Sequence, residues 1–111
     1  MFLKNKDMNE EKPFAEVAKE AVGDKEAVIV DVRRDDEWAA GHADRAVHWE
    51  LAKLEAGQMP DIPKDKKIYT YCAAGKRAGQ AADILKANGW TDVHNLGGLP
   101  DWKEAGGQVI I

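Results

Sequence analysis

Residues 68 to 85 read IYTYCAAGKRAGQAADIL and contain Cys72, the only cysteine of the 111-residue chain. The apolar run before Cys72 has the length and the aromatic and β-branched content of a buried strand. After the loop, small and apolar residues recur at the spacing of a helix face that packs against a core. These residues are Ala78, Ala81, Ala82 and Leu85. The stretch predicts a strand, a tight loop and a helix starting at Arg77, with Cys72 where the strand ends.

Short apolar runs and helical segments alternate on both sides of this stretch. Further strands are predicted within AVIVDV (27–32), AVHWEL (46–51) and TDVHNL (91–96), the last being the final strand of the chain. Helices are predicted at 13–23, 34–41, 51–58 and 99–107. Continuous apolar runs of strand length are typical of parallel strands buried on both faces. The pattern therefore predicts an α/β fold with a mainly parallel sheet flanked by helices.

The length of the chain fits one compact domain. We expect a polar N-terminal segment at residues 1–12 and a single domain at residues 13–111. No apolar run approaches the roughly 18 residues of a membrane span, and the first residues do not resemble a secretory signal. These observations predict a soluble cytoplasmic protein that does not bind a membrane.

The charge of the chain is −4 overall and is unevenly distributed. Residues 64–82 contain five basic side chains and one acidic one, a local charge of +4, so the rest of the chain carries −8. A general basic field for nucleic acid is absent, which excludes binding that rests on phosphate neutralisation. The sequence instead places positive charge around Cys72.

A reactive thiol is the functional interpretation of Cys72, and a small core residue is the structural one. A single cysteine cannot form an intramolecular disulfide, and no Cys and His cluster has zinc-site spacing, so neither a metal nor a cofactor is expected. The carboxyl end of a parallel strand is where α/β sheets bind ligands. This position favours the reactive interpretation.

The loop after Cys72 has the composition of an anion-binding turn. The small residues Ala73, Ala74 and Gly75 allow backbone N–H groups to close around an anion, and the following helix adds partial positive charge at its N-terminus. Lys76 and Arg77 strengthen that field. The loop does not match a Walker phosphate loop, because Arg77 stands where Ser or Thr is required. A thioredoxin-like site would need a second cysteine.

Three segments in order resemble the rhodanese family of sulfurtransferases, from about Ala27 to the C-terminus. IVDVRRDDEWAAGH resembles the family's Asp-Val-Arg, Glu-aromatic and Gly-His segment. YCAAGKRAGQAADIL is similar to its active-site loop and the helix after it, and NLGGLPDWKEAG to its Gly-Gly, Trp and Gly ending. The resemblance implies a rhodanese-like fold with a five-stranded parallel sheet flanked by helices.

The resemblance also implies a reaction. In such proteins the cysteine thiolate takes sulfur from a small anionic donor such as thiosulfate and passes it from a persulfide to cyanide or a thiol. By position, Cys72 is the nucleophile, the N–H groups of Ala73, Ala74, Gly75, Lys76 and Arg77 bind the substrate, and Arg77 closes the loop. An acceptor protein is a further expected partner.

Two features of the loop bear on the substrate. Family members with five residues between the cysteine and the arginine resemble phosphatases or arsenate reductases, whereas only four intervene here, which disfavours a phosphatase. Thiosulfate-using members often have arginine directly after the cysteine, where this chain has Ala73. The alternative function is therefore a non-enzymatic sulfur-carrier or protein-binding module with little thiosulfate turnover.

Other side chains are assigned supporting roles. Asp31 and Arg33 end the first strand and are expected to form an ion pair or to support the loop. The three histidines show no ligand spacing and are not expected to bind metal or act as a base; His42 is expected to bond backbone. Trp38 and Trp102 are expected to pack in the core.

Overall fold

The computed structural model describes residues 12–111. The predicted polar segment, residues 1–12, lies outside the described residues except for Lys12. Within residues 12–111 the strands are β1 (Val28–Asp31), β2 (His42–Ala43), β3 (Ala46–His48), β4 (Ile68–Cys72), β5 (Val93–Gly98) and β6 (Val109–Ile110). The helices are α1 (Phe14–Gly23), α2 (Asp35–Ala39), α3 (Leu51–Glu55), α4 (Lys76–Ala87) and α5 (Leu99–Glu104).

The central sheet has the strand order β3-β1-β4-β5, and its neighbouring strands are parallel. The two inner strands, β1 and β4, are almost entirely buried, as their continuous apolar sequences require. The predicted α/β fold with a parallel sheet and flanking helices is confirmed. The expected number of strands is corrected from five to four.

The remaining two strands form a separate small sheet. β2 and β6 pair antiparallel, with His42 opposite Ile110 and Ala43 opposite Val109. Each has only two residues, too few for a period-two pattern to show in the sequence. The prediction that TDVHNL contains the final strand is wrong, because β6 follows it near the C-terminus.

Helices cover both faces of the central sheet. On one face, α3 and α4 pack through a core that includes Leu54 and Leu85. The predicted apolar stripe of α4 is confirmed, because its four members are at most 4% exposed. On the other face, α1 and α5 pack through Ala18, Ala21 and Trp102. None of the described helices is long and apolar enough to cross a membrane.

The sheet separates the two basic groups that lie close together in sequence. Lys64, Lys66 and Lys67 precede β4, whereas Lys76 and Arg77 follow it. A five-residue strand spans about 16 Å, which exceeds the roughly 8 Å Debye length at physiological salt. Lys64 instead bonds the carbonyl of Asn88 and lies over the ring of Trp90. The first three lysines therefore add little to the field at Cys72.

Candidate active site

Cys72 lies at the carboxyl end of β4, between the ends of β1 and β5. Its side chain is almost fully buried, with 2% of the residue exposed. The loop beside it is open to solvent, because Ala73, Ala74 and Lys76 are exposed. A small anion or the thiol of another molecule can therefore reach the rim of the loop from outside, although little of Cys72 itself is exposed.

Two backbone N–H groups point at the sulfur atom. The N–H of Gly75 donates to Cys72 Sγ at 3.0 Å, and the N–H of Ala78 approaches it at 3.4 Å. Gly75 has φ +112°, a left-handed conformation that glycine adopts at low cost and that turns its N–H inward. The two donors favour negative charge on sulfur.

The sequence pattern did not predict that the N–H of Ala78 faces the sulfur atom of Cys72. Ala78 is the third residue of α4, which begins at Lys76 rather than at Arg77 as predicted. The first four N–H groups of a helix have no partner inside it, and that rule could have drawn attention to this one. The hydroxyl of the buried Thr70 donates to the Ala78 carbonyl at 2.9 Å and anchors this turn to β4.

Arg77 forms a two-pronged ion pair with Glu37 of α2. Its Nη1 and Nη2 atoms donate to the two carboxylate oxygens at 2.8 and 3.0 Å. These bonds lower the pKa of Glu37 to about 2 and raise the pKa of Arg77. The neighbouring Cys72 also raises the pKa of Arg77, but to a smaller extent. The pair fixes the end of the loop to α2, and the sequence did not identify Glu37 as the partner of Arg77.

Glu37→Gln is expected to lower the free energy of unfolding at neutral pH by about 1–3 kcal/mol, because Arg77 loses its charged partner. The folded-state pKa near 2 lies below the roughly 4.3 of an unfolded glutamate. The pair therefore stabilises the fold fully above about pH 4.3 and loses that effect as the pH falls toward 2. Urea unfolding at several pH values should show the difference between wild type and variant shrinking over this window.

The control for this experiment is Glu55→Gln, at an exposed position that ends α3. It removes the same charge and should leave the unfolding free energy nearly unchanged. A Glu37→Gln variant as stable as the control at pH 7 would show that the pair does not hold the loop.

The other wall of the site is the end of β5. A Cβ atom built on Gly98 would lie 2.7 Å from the carbonyl carbon of Ala73 and closer still to its oxygen. Gly98 has an ordinary extended conformation, with φ −117°. Glycine is required here by the close approach of the loop, not by backbone strain.

Asp31 and Arg33 form a buried ion pair, which fits the first of their two predicted roles. Arg33 donates to both carboxylate oxygens of Asp31 and to the Gly41 carbonyl. The hydroxyl of Tyr71 donates to Asp31 and accepts the N–H of Ala43. Burial and the bond to Asp31 raise the pKa of Tyr71. This network braces residues 41–43, which include β2, so any support for the loop after Cys72 is indirect.

The three histidines form hydrogen bonds with groups other than the sulfur atom of Cys72. His42 Nδ1 bonds the Trp38 carbonyl, as expected, and its ring stacks on Trp38 at 3.4 Å between centroids. Trp38 is only half-buried, unlike the fully buried Trp102. His48 bonds the Arg33 carbonyl, and His94 contacts Asp92.

One group of donors outside the loop has the residue types of a cation site. Asp35, His48 and Glu50 each offer a ligand atom, and these atoms lie within 4.8 Å of one another. Glu50 already accepts the N–H of Asp35 at 2.9 Å, and the Asp35 side chain is 90% exposed. The group contains neither Cys72 nor any residue of the loop after it.

Comparison with known proteins gives concordant matches in sequence and fold. Residues 14–105 match the rhodanese-like domain. The thiosulfate sulfurtransferase PspE of Escherichia coli is 36% identical over 73 residues, which are 65% of this chain and 70% of that protein. A crystal structure of the Alr3790 protein from Anabaena superposes with a TM-score of 0.73 at 29% identity, covering 86% of this chain and 77% of that one.

The same domain also occurs in larger proteins with another named activity. The tRNA uridine(34) hydroxylase of Onion yellows phytoplasma is 34% identical over 84 residues. These residues are 71% of this chain but only 27% of the hydroxylase. The domain match alone therefore does not determine the substrate.

Proposed function

The chain belongs to the rhodanese family and is similar to a sulfurtransferase of known name, and we therefore propose that it transfers sulfane sulfur through a persulfide on Cys72. The donor in this proposal is thiosulfate or a similar small anion, and the acceptor is cyanide or a thiol. The observation that carries the proposal is the pair of N–H groups from Gly75 and Ala78 directed at Sγ.

The proposed reaction has two displacement steps. The Cys72 thiolate attacks the outer sulfur of thiosulfate, the S–S bond of the donor breaks, and sulfite leaves with the bonding electron pair. The enzyme then carries a persulfide, whose terminal sulfur is attacked by cyanide or a thiolate. The new bond forms as the sulfur–sulfur bond on Cys72 breaks, and the thiolate is restored.

The residues of the loop have distinct roles in this scheme. The N–H groups of Gly75 and Ala78 stabilise the thiolate as the leaving group of the second step. Ala73, Ala74 and Lys76 form the exposed rim where the donor binds. Arg77 is held by Glu37 and keeps the loop closed. Neither step, as written, calls for a metal or a cofactor.

The experiment that tests the proposal measures the mass of the protein. Incubation with thiosulfate alone should add 32 Da on Cys72, and later addition of cyanide should remove it and release thiocyanate. A kcat/KM for thiosulfate of about 10⁴ M⁻¹s⁻¹ or above would support an enzyme. Loading without appreciable turnover would favour the sulfur-carrier alternative, and no loading from any sulfane donor would contradict both.

Lys76→Ala is expected to raise KM for thiosulfate by about two- to fivefold, the scale of an exposed charge contact. Lys76 is exposed, whereas the cation of Arg77 is paired with Glu37. Alkylation of Cys72 by the neutral reagent iodoacetamide should change less, because the backbone donors are retained. Steady-state kinetics and alkylation rates of the same preparations make the comparison.

Ala73→Arg is the complementary variant and should lower KM for thiosulfate. It introduces the cation that thiosulfate-using relatives often have at this position. If Lys76→Ala impairs thiosulfate kinetics and the rate of Cys72 alkylation equally, Lys76 stabilises the thiolate and does not act on the substrate alone. No gain from Ala73→Arg would indicate a donor other than thiosulfate. An acceptor protein and a cytoplasmic location stay predictions from the sequence.

A further inference from the structure

A side chain of β5 bonds the carbonyl of Gly75. Asn95 Nδ2 donates to the Gly75 carbonyl at 2.9 Å, and the N–H of Gly79 donates to the same oxygen at 3.0 Å. Gly75 is the residue whose N–H donates to Cys72 Sγ. Two donors thus fix the carbonyl of the residue that binds the sulfur atom.

Asn95 also sits at an irregularity in the sheet. Thr70 pairs with Asn95, but the next residue of β4, Tyr71, pairs with Gly97, so Leu96 is an extra residue on β5. Asn95 Oδ1 accepts the N–H of Gly97 at 2.8 Å and closes this bulge. A bulge bends its strand and redirects the residues after it, here the end of β5 that touches the loop.

The two hydrogen bonds of Asn95 use different atoms of its side-chain amide, because Nδ2 donates to Gly75 and Oδ1 accepts from Gly97. The Gly75 carbonyl can only accept and the Gly97 N–H can only donate, so one side chain must donate and accept within the same short reach. Aspartate could satisfy Gly97 but not Gly75. Serine could satisfy Gly97 but is too short to reach Gly75.

The ring of Phe14 completes the support. A Cβ atom on Gly75 would lie 2.6 Å from Phe14 Cε2, and one on Gly97 would lie 2.7 Å from Phe14 Cγ. The ring of Phe14 therefore covers both glycines that Asn95 connects. The carbonyl of Gly75 is bonded and its Cα is covered, so these contacts hold in place the residue whose N–H faces the sulfur.

We propose that Asn95 is a positioning residue for the Cys72 thiolate, acting through the backbone of Gly75. It joins the bulge of β5 to the loop, so the sheet sets the direction of the N–H that stabilises negative charge on sulfur. The proposal deepens the proposed function because it concerns the same thiol. It is tested by alkylation, which needs no sulfur donor and therefore gives a result even if sulfur transfer is not observed.

The test measures the rate of iodoacetamide alkylation of Cys72 across pH. Asn95→Asp replaces the donor by a carboxylate that repels the Gly75 carbonyl, so the thiolate loses its N–H partner and gains a nearby like charge. Alkylation at neutral pH should slow by about tenfold, and the pH of half-maximal rate should rise by about one unit. Asn95→Ser, which adds no charge, should give a smaller shift in the same direction.

Asn88→Asp is the matched control. Asn88 also donates its amide to a carbonyl, that of Ile84 at 2.8 Å, but it lies at the far end of α4, about 20 Å along the helix from Gly75. It loses the same kind of bond and gains the same charge, and its alkylation profile should match wild type within about twofold.

A wild-type alkylation profile for a folded Asn95→Asp, even with a lowered melting temperature, would show that Asn95 is merely structural and would overturn the proposal. A wild-type profile for the neutral Asn95→Ser would also overturn the proposal, because any shift in Asn95→Asp would then come from its added charge and not from Gly75. An equal shift in Asn88→Asp would also overturn it, since the effect would then not pass through Gly75.

Discussion

Cys72→Ala is expected to abolish the 32 Da adduct and to lower thiocyanate formation by about 10³-fold or more, because both steps form or break a bond at this sulfur. Cys72 is the only cysteine of the chain, so no other thiol can replace it. Mass spectrometry after thiosulfate treatment and a thiocyanate assay provide the measurement. The melting temperature checks that the buried substitution leaves the fold intact.

A displaced thiol separates the effect of the sulfur atom from that of its surroundings. Ala52 is an exposed residue of α3. Placing Ala52→Cys in the Cys72→Ala background restores one thiol without the N–H groups of Gly75 and Ala78. This double variant should be alkylated readily but should not turn over thiosulfate. Turnover near the wild-type rate would mean that the loop adds nothing to catalysis.

Gly98→Ala is expected to lower both stability and turnover, although it leaves every polar side chain in place. Its added methyl group would overlap the carbonyl group of Ala73 and lie 3.1 Å from the Cα of Ala74. The obstacle is backbone, so the loop itself must move. We expect a loss of about 1–3 kcal/mol in unfolding free energy, as for overpacked sites. Turnover should fall by about 10²-fold, because the N–H groups no longer meet the sulfur.

Gly23→Ala is the control for Gly98→Ala. A Cβ atom on Gly23, the last residue of α1, would meet nothing within 4 Å. It should be neutral or slightly stabilising, and turnover should be unchanged. Chemical denaturation and steady-state kinetics compare the two variants. Full activity of Gly98→Ala would contradict the tight contact between β5 and the loop.

Local sequence patterns determined most of the architecture. A run such as IYTYC has strand length and no polar face, and the alanine spacing of α4 allows only one buried side, so both elements could be predicted without knowing their neighbours. The alternation of such elements then implied parallel strands and placed Cys72 at a carboxyl edge. Strands of two residues carry no such periodicity, and β2 and β6 were missed for that reason.

The contacts that complete the candidate site depend on the tertiary structure. Glu37 and Arg77 are separated by 40 positions, and Asn95 and Gly75 by 20. No local periodicity links such pairs, because their distance depends on how helices and strands pack. The sheet likewise moved Lys64 to Lys67 away from Cys72, although the sequence places them only a few residues apart. The sequence thus determined the fold class and the position of the single cysteine at the end of β4, whereas packing between distant elements decided which groups surround the sulfur and hold its loop.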